Sequence, residues 1–224
     1  CTDMQTDFVT SLQVFQVPAL EEPEARLSFR DPVFGTCLVR LTDRSSDLAP
    51  GDPSDGLKTE YSRVPSFNTD GSLILVRGTE ATWYLYSAAS LAPLGSLPLD
   101  VEPRWSSDDP ALLYTISGTR LLSYDLRTGM STVIHDFAVE APGAVMVWTR
   151  YEGSPSADGR YWGLMAEDED WLASFFIIYD LQNDEVIALR DLRSSPDDER
   201  EIDSVTISPL GDYFLAQMDK YCEP

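Results

Sequence analysis

The stretch that decides the fold is Ser66-Phe67-Asn68-Thr69-Asp70-Gly71-Ser72-Leu73-Ile74-Leu75-Val76, in which a short polar run ends in Asp-Gly and leads directly into an apolar strand. Asp-Gly suits a tight hairpin because both residues tolerate a positive φ. Similar phrases recur at residues 103–114, 154–164 and 206–215, the last with Leu210 in place of the Asp. The copies follow one another at roughly 40–50 residues, a period typical of propeller blades.

A second phrase follows three of the four copies. It is an apolar run at residues 83–87, 121–125 and 177–180; the last two runs end in Tyr-Asp before a polar turn. Another strand-like run comes after each turn, so one unit reads strand, Asp-Gly turn, strand, loop, strand, turn, strand. A four-stranded blade cannot bury both of its faces alone. The sequence therefore predicts an all-β fold, a β-propeller of four-stranded antiparallel blades.

The repeats divide the chain into a tether over residues 1–26 and a propeller domain over 27–224. Within the domain we predict a closing strand and four blades, the last of them partial, at 33–42, 61–99, 101–137, 145–192 and 204–224. Propellers commonly place an N-terminal strand in the last blade, which removes unpaired edges. Three blades and part of a fourth belong either to a larger ring or to a four-bladed ring. Only the second alternative puts Cys37 and Cys222 in one blade, where they could pair.

The residues that carry the pattern resemble the TolB-like and WD40-like propeller repeats, whose usual phrase is Trp-Ser-Pro-Asp-Gly before a strand. The closest matches are residues 105–108 and 154–159. The segment from 30 to 43, followed by Tyr61-Ser62-Arg63, is similar to the opening of oligogalacturonate-lyase-type propellers. That resemblance implies an enzyme with several metal-binding histidines and a catalytic histidine. Because His135 is the one histidine in the chain, the resemblance supports the fold and weighs against the activity.

Composition narrows the classes of partner. The chain has 224 residues, with 38 acidic and 16 basic side chains and a formal net charge of −22. Such a surface repels nucleic acid and anionic lipid, and is compatible with a cationic partner, bound Ca²⁺ or simple solubility. The chain contains no Cys-x-x-Cys, Gly-x-Ser-x-Gly or phosphate-binding loop. We interpret the polar segment 44–60 as a solvated loop.

Two groups of residues are candidates for a site. The acidic segment 166–171 is either an exposed hairpin tip or a carboxylate cation site, with Asp168 and Asp170 as the metal candidates and Ca²⁺ as the ion. Trp148, Arg150 and Tyr151 precede the third copy of the repeat and are candidates to line the central channel. Trp171, beside the acidic tip, is a fourth ligand-facing candidate. Exposed aromatic side chains with acidic neighbours suit a saccharide or a peptide partner.

Without a catalytic motif, the sequence favours a non-enzymatic binding or scaffold propeller of the cell envelope, with a protein partner or another ligand. Two alternatives stay open. One is a carbohydrate-active enzyme of the polysaccharide-lyase type, which rests on the opening segment. The other is the propeller part of a larger hydrolase whose catalytic domain lies outside these residues.

Residue 1 is Cys1, followed by an acidic and loosely patterned segment. This resembles a mature bacterial lipoprotein, which begins with its acylated Cys. We therefore expect a periplasmic or extracellular protein anchored through Cys1; the alternative is a boundary inside a longer sequence. Mass spectrometry of the native N-terminus should find Cys1 carrying acyl chains. An unmodified Cys1, or residues before it, would contradict the anchor.

Overall fold

The computed structural model describes residues 11–80 and 82–218. This part of the chain is nearly all β, and each sheet is antiparallel with its strands in chain order. Three sheets are four-stranded, and we number them first, second and third: β3 to β6 (Leu57–Lys58, Leu73–Gly78, Trp83–Ser87, Pro93–Leu97), β7 to β10 (Val101–Trp105, Leu112–Ser117, Arg120–Asp125, Met130–Asp136) and β11 to β14 (Met146–Trp148, Tyr161–Glu167, Ala173–Asp180, Glu185–Asp191). The fold is therefore part of a β-propeller, as the repeats predict.

Two shorter sheets and one helical turn complete the described residues. They are the hairpin β1–β2 (Ser28–Arg30 and Cys37–Val39), the turn α1 (Asp197–Arg200) and the fourth sheet, β15–β16 (Ile202–Ile207 and Phe214–Met218). No helix in these residues is long and apolar enough to cross a membrane. Cys1 and Cys222 lie outside the described residues, so the lipid anchor and the pairing of Cys222 with Cys37 stay predictions.

The repeated Asp-Gly turns lie in a row and bind one another. Thr69 Oγ1 in the first turn donates a hydrogen bond to the Ser107 carbonyl at 2.8 Å, and Ser107 Oγ donates to the Asp158 carbonyl at 2.7 Å. In the third turn Gly159 has a φ of 75°, and a Cβ there would lie 2.6 Å from Ser107 Oγ. Glycine is thus required both by the backbone and by the neighbouring turn.

The apolar core is divided among the sheets. The largest cluster extends over the second, third and fourth sheets, and Leu164, Ile177 and Val205 are among its buried members. Leu75 and Trp83 of the first sheet form a smaller cluster with residues of the second sheet. The other face of the first sheet packs against the segment that precedes it in the chain.

The predicted closing strand is shorter than residues 33–42, and its described partner is different. β2 covers only Cys37–Val39, and it pairs with β1 rather than with the fourth sheet. Asp31 causes the reversal, because its Oδ1 accepts hydrogen bonds from the Val33 and Phe34 amides at 2.8 and 2.7 Å. Gly35 completes the loop with a φ of 68°.

The segment before the first sheet is anchored more firmly than a tether or a solvated loop. Arg26, the last residue of the predicted tether, forms an ion pair with Asp47, whose side chain is 1% exposed. Asp47 also accepts hydrogen bonds from the Tyr86 hydroxyl at 2.8 Å and from the Asp43 amide at 2.9 Å. Burial opposes ionisation of Asp47, but these bonds hold its pKa below the usual 3.8. The interpretation of residues 44–60 as solvated is wrong at Asp47.

Replacing Asp47 should therefore be costly. The D47A variant leaves the Tyr86 hydroxyl and the Arg26 guanidinium without their acceptor, and we expect its free energy of unfolding to fall by about 2–4 kcal/mol. Urea denaturation at neutral pH measures this, with the exposed Asp212→Ala as a control that should change by less than about 0.5 kcal/mol. The difference should shrink as the pH falls through the pKa of Asp47. Equal midpoints for the two variants would show that Asp47 is not an anchor.

Candidate functional site

The first strands of the sheets meet at the centre of the described residues. Arg104 on β7 reaches the chain that follows β11, donating from Nε to the Gly153 carbonyl at 2.9 Å and from Nη2 to the Tyr151 carbonyl at 3.1 Å. The Val205 amide on β15 donates to the Thr149 carbonyl at 3.2 Å. The last strands β6, β10 and β14 are mostly exposed. The first strands therefore line the propeller axis.

All four of these strands depart from regular ladder pairing. Irregularities of this kind are common next to active sites because they re-aim side chains. The departures lie between Val101 and Arg104 in β7, between Ile202 and Ser204 in β15, after Trp148 in β11 and after Lys58 in β3. Pairing resumes at Ser156 in the third sheet and at Phe67 in the first. The side chains at these departures form the candidate site.

A buried carboxylate, Glu102, holds the chain in place directly after Trp148, where the third sheet departs from regular pairing. One of its oxygens accepts hydrogen bonds from the Thr149 amide and hydroxyl, both at 2.9 Å, and the other accepts from the Tyr151 amide. Glu102, Arg150 and Tyr151 have φ values of 53°, 61° and 72°. Each such residue is strained by roughly 1–3 kcal/mol, and the strain persists only where the surroundings impose it. The bonds to Glu102 provide that constraint for residues 149–151.

A buried ion pair joins the first and second sheets. Arg104 and Glu60 are each 3% exposed at the side chain, and Arg104 Nη1 donates to Glu60 Oε2. Burial raises the pKa of Glu60 to about 7, an effect that the neighbouring Arg104 charge only partly opposes. The other carboxylate oxygen, Glu60 Oε1, is buried and has no hydrogen-bond partner among the described residues.

Two cations stand side by side next to this pair. Lys58 on β3 and Arg77 on β4 are direct cross-strand partners, so their side chains project from the same face of the sheet. Within residues 11–80 and 82–218, neither makes an ion pair with a carboxylate. The Arg77 guanidinium lies 5.9 Å from the Trp83 ring centroid and 5.8 Å from that of Tyr151. These aromatic contacts orient Arg77 and leave its charge available.

The side chains around these cations line an open cavity of about 320 Å³, the axial pocket, formed by Lys58, Glu60, Tyr61, Arg77, Arg150, Tyr151, Glu152 and Asp203. Its three acidic residues each have a donor. Glu60 pairs with Arg104, Glu152 pairs with Arg63, and Asp203 accepts from Gln217 Nε2 at 2.5 Å. Glu60 and Glu152 are thus paired with arginines and Asp203 is bonded to a neutral amide, whereas Lys58 and Arg77 have no carboxylate partner among the described residues. The pocket is chemically suited to an anion.

The structure brings together all four residues that the sequence singled out as ligand-facing. Arg150 and Tyr151 line the axial pocket. Trp148 is 6% exposed, and its ring centroid lies 5.0 Å from that of Tyr151 and 6.1 Å from that of Trp171. Trp171 is 53% exposed. Trp148 therefore supports the Tyr151 ring from behind, and Trp171 extends the aromatic surface toward the acidic tip.

The acidic tip is organised by the protein itself. Asp168 Oδ1 accepts hydrogen bonds from the Asp170 and Leu172 amides, both at 3.1 Å, and Asp168 Oδ2 pairs with Arg200. No group of three or more candidate ligands that could hold one metal ion occurs in the described part of the chain. Asp168 thus fixes a hairpin turn and attaches α1 to it.

Two other places have suitable chemistry but fewer available groups. A cavity of about 490 Å³ between the second and third sheets is lined by Trp105, Tyr114 and Trp162, but its Arg160 is held by Asp180. His135 Nδ1 lies 2.7 Å from Asp184 Oδ1 near the outer edge of the same two sheets. Neither place has a basic side chain without an acidic partner among the described residues, so the axial pocket is the stronger candidate for an anion.

Comparison with known proteins gives a fold and no family. No protein-family model matches the chain, and no curated protein matches its sequence. Among solved structures it is similar to an oligogalacturonate lyase from Vibrio parahaemolyticus, with a TM-score of 0.55 and 16% identity over 88% of this chain and 54% of that one. It is also similar to an oligogalacturonate lyase in complex with manganese, with a TM-score of 0.52 and 18% identity over 84% and 58%. The chain thus spans little more than half the length of these propellers.

The bonds made by Glu102 can be tested directly. We expect E102Q to lower the free energy of unfolding by on the order of 2 kcal/mol, because an amide has one acceptor oxygen where the carboxylate uses two. Chemical denaturation measures the change, and Glu80→Gln, at an exposed position, is the matched control. A loss for E102Q no greater than that for E80Q would show that Glu102 does not hold residues 149–151.

Proposed function

We propose that this chain is part of a ligand-binding propeller whose axial pocket captures an anionic saccharide. The observation that carries the proposal is the pair Lys58 and Arg77. Like charges directly opposite one another destabilise a sheet, yet this chain, with more than twice as many acidic as basic side chains, places no described carboxylate between them. An anion bound there would remove the repulsion.

The shape and lining of the pocket favour a small acidic sugar. A volume of about 320 Å³ lies at the lower end of the range of roughly 300–1,000 Å³ found for small-molecule sites. The arginine fork of Arg77 matches a carboxylate, which it can bind through two parallel hydrogen bonds. Tyr61 and Tyr151 are 37% and 38% exposed, and offer flat surfaces on which a sugar ring can pack.

The fold neighbours agree with this ligand class, since both are oligogalacturonate lyases by name. They also favour a second candidate function, cleavage of an acidic polysaccharide. We retain binding as the first proposal because the pocket's polar groups account for anion capture without a catalytic step. In both cases the activity of the whole protein is inferred from a chain that spans only part of these relatives. Placement in the cell envelope stays a prediction that rests on Cys1.

Calorimetric titration with a galacturonate trimer tests the proposal. We expect saturable binding of the trimer and at least tenfold weaker binding of its methyl-esterified form, which lacks the charges. R77Q should lose tenfold or more in affinity, because one charge-assisted bidentate contact contributes roughly 1.5–3 kcal/mol. R77K keeps the charge but loses the fork, so its affinity should lie between those of the native protein and R77Q.

The exposed Arg120 on β9 provides the matched control, and R120Q should bind like the native protein. Equal affinity for the charged and esterified trimers, or no effect of R77Q, would refute anion capture at this pocket. Ultraviolet absorbance of the same mixtures distinguishes the two candidate functions. A rise from new carbon–carbon double bonds would establish cleavage, and a constant signal with saturable binding would leave binding alone.

A further inference from the structure

One of the three acids in the axial pocket, Glu60, is almost completely buried. The Glu60 side chain lines the pocket, yet it is 3% exposed. Oε2 pairs with Arg104, whereas Oε1 is buried without a described hydrogen-bond partner. An ionised oxygen in that position is unfavourable because nothing replaces the water it has lost. A protonated Glu60 would carry a smaller penalty, and the Arg104 guanidinium would keep the Gly153 and Tyr151 carbonyls as acceptors.

Charged and titratable groups face Glu60 from four sheets. They are Lys58 and Tyr61 on either side of it, Arg77 from β4, Glu102 and Arg104 from β7, Arg150, Tyr151 and Glu152 from the segment after β11, and Asp203 from β15. Arg104 and Arg77 favour the ionised form of Glu60, and Glu102 opposes it. Arg104 is committed to Glu60 through a direct pair. Arg77 stabilises ionised Glu60 only through its charge. A bound anion can therefore reduce this stabilisation.

A bound anion would reduce the stabilisation that Arg77 gives to ionised Glu60. A ligand carboxylate bound at Arg77 brings a further negative charge close to Glu60, and its field offsets the stabilisation that Arg77 gives to ionised Glu60. The ligand therefore favours the protonated form of Glu60. By linkage, a proton on Glu60 must strengthen ligand binding as much as the ligand strengthens proton binding.

We propose that Glu60 takes up a proton when an anion binds in the axial pocket, which makes this pocket a proton-linked anion site. The inference rests on the proposed function and adds the group that couples the site to pH. Glu60 acts here as a positioning and charge-regulating residue, because nothing in the geometry requires it to touch the ligand.

The sign of the pH dependence follows from the free protein. The pKa of Glu60 is raised to about 7 from the usual 4.5, so the free protein carries an ionised Glu60 above about pH 7. Above that pH, ligand binding must be accompanied by proton uptake. The affinity for a carboxylate ligand should therefore fall by up to about tenfold per pH unit between pH 7.5 and 8.5. Below pH 6 the proton is already in place, and the affinity should level off.

Calorimetry of the galacturonate trimer at pH 6, 7.5 and 8.5 tests the inference. Measured at pH 8 in two buffers of different ionisation enthalpy, the native protein should take up close to one proton per ligand bound. E60Q mimics the protonated carboxyl, so it should bind with little change between pH 7.5 and 8.5 and exchange no proton. E80Q, at an exposed position, should keep the native pH dependence.

The outcomes separate this inference from the proposed function. No binding of the trimer at any pH refutes the proposed function itself. Binding that is sensitive to Arg77→Gln but shows no proton uptake at pH 8 overturns the role of Glu60 and leaves the anion site standing. The buffer comparison needs only the native protein, so it decides the matter even if E60Q does not fold. Proton uptake that persists in a folded E60Q would likewise overturn the assignment to Glu60.

Discussion

The structure depends on buried charges that join the first strands of its sheets. Glu102 holds the strained turn after β11, and Arg104 connects that turn to Glu60 in the first sheet. A buried ion pair gives little net stability against an apolar alternative, but breaking it leaves a costly unpaired charge. Such pairs therefore tend to specify one arrangement rather than to add stability. Here the arrangement holds the irregularly paired first strands around the axial pocket.

Much of the fold could be predicted from the sequence because its signal is local and repeated. Asp70-Gly71 and its copies mark hairpins through backbone preference, and the apolar runs beside them mark strands, so three four-stranded sheets follow. The hairpin at β1–β2 was harder. The cues for its turn, Asp31 and Gly35, are present in the sequence, but they suit a pause within one strand as well as a reversal between two. The burial of Asp47 has no local signal, because its partners Arg26 and Tyr86 lie far away along the chain.

The candidate site likewise contains residues that the sequence could indicate and residues that it could not. Trp148, Arg150, Tyr151 and Trp171 could be selected because they adjoin a repeat and combine aromatic and charged groups, and the structure places them together. Lys58, Glu60, Arg77 and Glu102 were missed. Each occurs in an ordinary polar or strand-like stretch, and its chemistry arises from what stands opposite it: a like charge, an unsatisfied buried oxygen or a strained turn. Cross-strand register decides these relations, and a shift of one residue would turn Arg77 to the other face of its sheet.

The division of the apolar core gives the axial pocket a further significance. The largest cluster unites the second, third and fourth sheets, whereas the first sheet meets them only through a smaller cluster that it shares with the second sheet. Regions with separate cores tend to open as separate cooperative units. Lys58, Glu60 and Arg77 belong to one such unit, and Arg150, Glu152 and Asp203 belong to the other. A molecule bound between them would add its contacts to the buried Glu60–Arg104 pair that already joins the two units, so occupancy of the pocket would strengthen the coupling of their motions.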